Sequence, residues 1–205
     1  MDSPKAPPQD PIAALAAAIP PPEKGQARAL PPVHLWNPRY CGDIGMRIKR
    51  DGSWHQGAQR LTRESLVRLF STILRKDEDG KTYLVTPVER IVVHVEDAPF
   101  IAVRVDKEGE GEAQVLRFLT NMGDECIAGP DNPIRVETDP ETLEPAPYVL
   151  VRGRLEARIA RASFYEMVNW AEEEEGPDGP VLGLRSGGVF FPLGPAGVHL
   201  AGANA

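Results

Sequence analysis

The sequence predicts an α+β fold made of two duplicated β-rich halves, each a curved antiparallel sheet with one helix packed against it. Three observations lead to this prediction. Runs of β-branched residues follow one another along the middle of the chain, and such residues favour strands. Only two segments place their apolar residues with the period of a long amphipathic helix. A short sequence that precedes each helix occurs twice, about one hundred residues apart.

The first 32 residues differ in composition from the rest of the chain. They hold nine of the 21 prolines and many alanines, and such a segment buries too little apolar surface to offset the entropy of ordering. We therefore predict a flexible Pro/Ala-rich tail over residues 1–32, in which Ile12–Ile19 can form a short helix; a docking arm is the functional alternative. The body then divides into an N-terminal half, residues 33–97, and a C-terminal half, residues 98–205.

The N-terminal half opens with a predicted hairpin. Ile44–Arg50 alternates apolar and basic residues, Asp51-Gly52 is a turn signal, and Ser53–Gln59 can return as the partner strand. Thr62 is the expected N-cap of the clearest helix in the chain. The apolar residues of this helix share one face; they are Leu66, Leu69, Phe70, Ile73 and Leu74.

Strands dominate after this helix. The predicted strands are Thr82–Thr86, Arg90–Val95, Phe100–Val105, Val115–Thr120, Cys126–Ala128, Ile134–Glu137, Tyr148–Val151 and Leu155–Ile159. The last two flank a second hairpin signal, Arg152-Gly153. A second helix is expected to begin near Ser163, which has capping-box spacing with Glu166. Val181–Leu184 and Val189–Phe191 predict a closing hairpin.

A repeated sequence supports duplication of the halves. Residues Gln59–Leu66 resemble residues Ala157–Phe164, and both segments follow an X-Gly hairpin signal and lead into a helix. Agreement of residue type with predicted structure favours duplication over chance.

Charge and cysteine content limit the partners and the compartment. The formal net charge of −7 disfavours general binding to nucleic acid, since an acidic surface repels phosphate backbones. No apolar run is long enough to span a bilayer, so no membrane insertion is expected. Two cysteines without a CxxC pattern, Cys41 and Cys126, and the lack of a signal peptide favour the cytoplasm. The acidic run Glu172–Glu175 is expected to fray as a solvated helix end.

No pattern of catalytic residues is readable, so no catalytic residue is assigned. The chain lacks the P-loop, dinucleotide-binding, nucleophile-elbow and zinc-protease motifs, and its four histidines are scattered. His94 and Glu96 would share one face of a predicted strand, but two ligands do not make a metal site. We therefore predict no metal and no cofactor, and an enzyme of unrecognised type is the least favoured function.

Arginines are the clearest candidates for ligand contacts. The pairs Arg60/Arg63 and Arg158/Arg161 recur just before or within the first turn of the two helices. A helix N-terminus favours an anion, and guanidinium groups supply paired donors to carboxylate or phosphate. Arg152 would share a strand face with Arg158. Ion pairing with the many carboxylates is the structural alternative.

Motifs spread over most of the body occur in an order typical of one family. They are Cys41–Ile44, Arg50–Trp54, Leu69–Leu74, Leu84–Glu89, Val95–Phe100, Thr120-Asn121 and Pro147–Arg152. In order and spacing they resemble the uncharacterised bacterial family named domain of unknown function 1285, over the stretch from Trp36 to Trp170. Two positions depart from that family: Gly45 replaces an acidic or larger residue, and Ala58-Gln59 replaces a more hydrophobic pair.

The resemblance implies a duplicated structure whose C-terminal half is pleckstrin-homology-like. It also implies a ligand pocket between the halves and a role in signalling through a nucleotide-like metabolite. The polar pocket residues that it implies are Thr86, Glu89, Glu96, Asp97, Thr120 and Asn121.

Together these features predict a non-enzymatic module that binds an anionic, nucleotide-like small molecule. Its predicted ligand-binding residues are Arg60, Arg63, Thr86, Glu89, Glu96, Asp97, Thr120, Asn121, Arg152, Arg158 and Arg161. The alternative is a protein-interaction adaptor without a small-molecule ligand, in which sheet edges or the tail meet a protein partner.

Overall fold

The computed structural model describes residues 11–20, 30–142, 144–177 and 179–196. The chain divides into two compact units between Glu96 and Asp97, which are called the N-terminal and C-terminal halves from here on. Each half contains a six-stranded sheet, and the C-terminal half carries a further sheet of three strands. The predicted α+β fold with two β-rich halves is confirmed.

Two three-stranded meanders form the sheet of the N-terminal half. The strands are β1 (Tyr40–Ile48), β2 (Trp54–Gln56), β3 (Gln59–Arg60), β4 (Leu74–Lys76), β5 (Thr82–Val85) and β6 (Arg90–Val95). Their order in the sheet is β3-β2-β1-β6-β5-β4. All neighbours are antiparallel except β1 and β6, which run parallel and join the meanders. The predicted hairpin at Asp51-Gly52 is the β1–β2 pair.

The sheet of the C-terminal half is built in the same way. Its strands are β7 (Phe100–Glu108), β8 (Val115–Thr120), β9 (Glu125–Ile127), β10 (Ile134–Thr138), β11 (Pro145–Arg152) and β12 (Leu155–Ile159), in the order β10-β11-β12-β7-β8-β9. Here β12 and β7 are the parallel pair. Both sheets were predicted to be antiparallel, but each contains one parallel pair and is therefore mixed. The strands between the two members of each pair supply the long crossover connection that a parallel pair needs.

The two halves share one strand order, but their helices occupy different places in it. Helix α2 (Glu64–Thr72) connects the third strand to the fourth, whereas α3 (Arg161–Trp170) follows the sixth. The repeated sequence accordingly lies on strands that are not equivalent. Residues 59–60 form the edge strand β3, and residues 157–159 belong to β12 at the centre of its sheet. The sheet order, and not the matched segments, carries the likeness of the halves.

Helix α2 contributes only part of its predicted apolar face to the core of the N-terminal half, since Leu69 is 36% exposed. Val67 and Phe70 are buried, and the Phe70 ring lies 6.5 Å from the ring of fully buried Trp54. The helix ends at Thr72, so Leu74, which the sequence places on it, is instead buried on β4. A short strand therefore replaces the last predicted turn of helix.

Both long helices begin at residues other than those predicted. Arg63, not Thr62, is the N-cap of α2. Ala160 is the N-cap of α3, so Ser163 and Glu166 lie inside the helix and do not cap it. Neither N-cap side chain makes a capping hydrogen bond. The first turns of α2 and α3 thus lack the side-chain acceptor that Ser, Thr, Asp or Asn supplies at this position.

The Pro/Ala-rich segment contains the short helix that the sequence allows. Helix α1 spans Pro11–Ala18, and it buries Ile12 and Leu15. It lies close to α2 in the N-terminal half. At least this stretch of the predicted tail is packed, because its two apolar side chains Ile12 and Leu15 are buried.

The chain closes with a three-stranded sheet in the order β13-β14-β15. Its strands are β13 (Glu172–Gly176), β14 (Gly179–Ser186) and β15 (Val189–Pro195), so the predicted closing hairpin is confirmed. The acidic run predicted to fray is instead strand β13, whose backbone pairs with β14. Buried Ser186 ties this sheet to the larger one, since its Oγ accepts from Leu116 N at 2.8 Å and donates to Ala128 O at 2.7 Å.

A bulge in β1 depends on Gly45. The pairing of β1 with β6 is irregular between Gly42 and Met46, and Gly45 has a φ of +75° there. Its N–H donates to Asp43 Oδ1 at 2.7 Å, and its carbonyl accepts from Gly57 N at 2.9 Å. A Cβ on Gly45 would lie 3.1 Å from that same Gly57 nitrogen.

We expect Gly45→Ala to lower the free energy of unfolding by more than Gly80→Ala. Both glycines have left-handed φ, +75° and +78°, but a Cβ on Gly80 meets nothing within 4 Å. Backbone strain costs either variant about 1–2 kcal/mol, and only Gly45→Ala adds a contact with hydrogen-bonded backbone. Urea denaturation of the two variants checks this. Equal losses of stability would show that the bulge absorbs a methyl group without cost.

Candidate anion-binding site

A cavity of about 230 Å³ opens in the C-terminal half where β12 ends and α3 begins. Its charged lining consists of Glu144, Arg158 and Arg161. The rest of the lining is apolar or aromatic: Pro145, Pro147, Ile159, Phe164 and Tyr165. Two of the predicted ligand-binding arginines therefore lie at one cavity.

Arg158 is held at this cavity by a shielded carboxylate. It lies on β12 opposite Tyr148 of β11, and its Nη1 donates to Oδ2 of Asp97. The Tyr148 hydroxyl donates to Oδ1 of the same carboxylate at 2.7 Å. The Asp97 side chain is only 9% exposed. Asp97 thus orients Arg158 and offsets its charge, and it does not itself line the cavity.

Arg135 supports Tyr148 from the neighbouring strand. Its guanidinium lies 4.2 Å from the centroid of the Tyr148 ring, within the range of cation–π attraction. It also donates to both carboxylate oxygens of Glu156, at 2.6 and 2.8 Å, and to Glu137. Burial and the hydrogen bond to Asp97 raise the pKa of Tyr148 to about 12. The phenol therefore stays protonated at neutral pH and remains a donor to Asp97.

Arg161 forms the weaker and more exposed ion pair of the two cavity arginines. It is the first residue of α3, directly after the N-cap Ala160. Its Nη2 lies 3.7 Å from Glu144 Oε1, and the two side chains are 68% and 65% exposed. Exposed pairs of this kind stabilise a protein by about 0.2–1 kcal/mol. An anion in the cavity can therefore replace Glu144 at little energetic cost.

The other predicted arginines do not line this cavity. Arg152 pairs with Asp124 at 2.9 Å and lies over the Phe100 ring, 4.9 Å from its centroid. Arg60 is exposed on the edge strand β3. Arg63 is exposed at the start of α2, where its Nε donates to Ser65 Oγ at 3.3 Å. Within the described N-terminal half, Arg60 and Arg63 thus remain near the helix start that the sequence predicts.

Two predicted pocket threonines brace turns. The buried Oγ1 of Thr86 accepts from Glu89 N at 3.1 Å, and the Oγ1 of buried Thr120 accepts from Asp124 N at 3.0 Å. Asn121 Oδ1 accepts from Ile101 N at 3.0 Å, which joins this turn to β7. The motif residues that carry the family resemblance at these positions therefore shape strand connections.

Glu96 also makes hydrogen bonds to the backbone of the N-terminal half. Its Oε2 accepts from Arg50 N at 3.2 Å, and its N–H donates to Ile48 O at 3.0 Å. The carboxylate thus holds the end of β1 beside the end of β6. Of the six polar residues that the resemblance implies, Asp97 is the one whose described hydrogen bonds include a residue of the cavity lining, Arg158.

Several lining residues were not predicted from the sequence. Glu144, Pro145 and Pro147 enter through the β10–β11 connection and β11, while Phe164 and Tyr165 come from the first turns of α3. The hairpin itself was predicted, but its pairing is irregular between Leu150 and Arg152, so the position of Arg158 opposite Tyr148 is not readable from the turn. Nothing local indicates that Asp97, fifty-one positions before Tyr148, meets them both.

The part of the chain that the structure describes contains no group of three or more His, Cys, Asp or Glu side chains placed to hold a metal ion. His94 and Asp43 form a two-membered pair, with Nε2 and Oδ2 2.7 Å apart.

The described helices include none that is both long and apolar enough to cross a bilayer.

Family comparisons agree with the motif order. The N-terminal-domain model of DUF1285, a domain of unknown function, matches residues 31–98, and the C-terminal-domain model matches residues 99–193. The chain belongs to the DUF1285 family. The resemblance inferred from the sequence is therefore confirmed.

Two crystal structures of DUF1285 family proteins are similar to this chain. The protein from Silicibacter pomeroyi DSS-3 is 49% identical, with a TM-score of 0.81 over 91% of this chain and 96% of that one. The protein from Shewanella baltica OS155 is 24% identical, with a TM-score of 0.47 over 62% of this chain and 91% of that one. No curated protein matches.

We expect Asp97→Asn to lower the pKa of Tyr148 from about 12 toward 10.0, because it removes the carboxylate that accepts from the phenol. A spectrophotometric phenolate titration of this variant, with Tyr148→Phe to identify the band, checks this. Since the pKa of folded Tyr148 lies above that of the unfolded chain, its contribution to stability is complete below pH 10 and is lost as the pH rises toward 12. Unchanged titration in Asp97→Asn would contradict the role of Asp97.

Proposed function

We propose that this protein is a non-enzymatic module that binds a small organic anion in the cavity of its C-terminal half. One observation carries the proposal: Arg158 and Arg161, three positions apart across the junction of β12 and α3, line the same 230 Å³ cavity. Guanidinium groups favour carboxylate and phosphate ligands because they present paired donors.

The surroundings of the two arginines support binding more than chemistry. The cavity places proline, isoleucine and aromatic side chains beside charged groups, so it can contact both the charge and the body of an organic anion. The described lining includes no nucleophile beside a general base. Helix α3 also begins without a capping side chain, and the first-turn N–H groups of such a helix favour a negative charge.

Narrower expectations from the family resemblance stay part of the proposal. They are a role in signalling and a pleckstrin-homology-like C-terminal half, while the nucleotide-like ligand that the resemblance implies is one candidate among small organic anions. A cytoplasmic location agrees with two cysteines that form no disulfide, Cys41 and Cys126.

The protein-interaction adaptor is the second candidate. The observation that favours it is the exposure of three apolar side chains in the N-terminal half: Leu35, Tyr40 and Val88 are 72%, 53% and 66% exposed. Large apolar side chains in water are typical of surfaces that meet other proteins when they adjoin one another. This candidate predicts no affinity for small anions at the C-terminal cavity.

We expect Arg161→Gln to weaken anion binding about tenfold or more, because it removes a charge-assisted hydrogen bond. Isothermal titration calorimetry at low ionic strength, with acetate, benzoate, inorganic phosphate and adenosine monophosphate, supplies the measurement. Arg104→Gln is the matched control, since Arg104 is an exposed arginine of the same half, 57% exposed, and lies outside the cavity lining. The absence of any binding anion, or equal affinities in the two variants, would leave the adaptor as the better candidate.

A further inference from the structure

Charges at the cavity limit which anion it can hold, provided that the proposed anion-binding function is correct. Arg158 faces Asp97, a carboxylate that is shielded from water and also held by Tyr148. Its positive charge is therefore already offset. The ion pair described for Arg161 is with Glu144, an exposed carboxylate at 3.7 Å. The cavity thus offers one exchangeable positive charge, and two carboxylates stand near it.

Glu144 occupies the place of a competing anion. It is both a lining residue of the cavity and a residue whose carboxylate lies 3.7 Å from the guanidinium of Arg161. Its backbone is fixed by bonds within the β10–β11 connection, where Glu144 N donates to Thr142 Oγ1 and Glu144 O accepts from Asp139 N. The side chain is 65% exposed, so it can turn into water without loss of burial.

The apolar lining indicates the body of the ligand. Pro145 and Tyr165 are partly exposed beside the charged groups of the lining, whereas Phe164 is buried beneath them. A cavity of roughly 150 Å³ is sufficient to hold benzene, so 230 Å³ leaves room for a single ring and one charged group. Aromatic and proline side chains favour such a ring through the apolar area that it buries.

We propose that the site selects a singly charged organic acid with a ring-sized apolar body, a monocarboxylate, and that Glu144 competes with this ligand for Arg161. A monocarboxylate neutralises Arg161 when Glu144 turns away. A ligand with two or more negative charges, such as a phosphomonoester, places its excess charge near the carboxylates of Asp97 and Glu144. These carboxylates repel that charge. Glu144 therefore sets both the affinity and the charge preference of the site.

The test uses two probes with the same ring and different charges, benzoate and phenyl phosphate, titrated by calorimetry at pH 7.5. Phosphomonoesters carry close to two negative charges at this pH. Wild-type protein is expected to bind benzoate more tightly than phenyl phosphate. Glu144→Gln is expected to tighten benzoate binding about two- to fivefold, the range of an exposed ion pair. For phenyl phosphate the gain is expected to be about the square of that factor, since Coulomb energy scales with charge.

Glu141→Gln is the matched control, because Glu141 is an exposed glutamate of the same connection that lies outside the cavity lining. Tighter phenyl phosphate binding in wild-type protein, or equal affinities in Glu144→Gln and Glu141→Gln, would overturn the inference while the anion site itself stands. If neither probe binds wild-type protein, the inference also fails. If, in addition, no anion binds in the Arg161 experiment, the proposed function fails with it.

Discussion

In both halves, one parallel strand pair holds the sheet together. Each half consists of two three-stranded meanders, within which neighbouring strands are also neighbours in sequence. The pairs β1–β6 and β7–β12 are the contacts that make one sheet from two ribbons. A three-stranded ribbon is close to the smallest sheet that is stable by itself. The buried residues that lie in register on β1 and β6, Met46 and Val93 among them, therefore stabilise the whole half.

The candidate site follows from the central position of β12. The chain remains hydrogen-bonded to β7 as far as Ala160, whose N–H donates to Ala102 O at 2.9 Å. Helix α3 begins at the next residue, so the change from strand to helix occurs within a few residues. This short junction brings Arg158, on a strand fixed on both sides, and Arg161, on the first turn of a helix, to one cavity. In the N-terminal half the corresponding arginines precede α2 from an edge strand, which lacks that support.

Local patterns predicted most of the elements, whereas the pairing of distant strands was not readable. The hairpins at Gly52 and Gly153 and the presence of α2 follow from turn chemistry and periodicity, which act over a few residues. The core face of α2 was predicted only in part, since Val67 is buried and Leu69 is exposed. The parallel pairs join residues about fifty positions apart, and no local signal specifies them. For the same reason the likeness of Gln59–Leu66 and Ala157–Phe164 indicated the wrong equivalence. Residue patterns named Arg158 and Arg161, whereas Asp97 was named only through the family resemblance, because its partners come from the distant strands β11 and β12.

The charge of strand β13 affects whether two copies of this protein can pair through their sheet edges. It lies at the end of its sheet order, with β14 as its hydrogen-bonded neighbour, and four consecutive glutamates occupy it. An edge strand is a template on which another chain can add by backbone hydrogen bonds. A second copy that approached this edge in the same way would bring a like-charged row against it, and mutual repulsion would separate the two. The acidic strand therefore disfavours self-association by strand pairing at this edge.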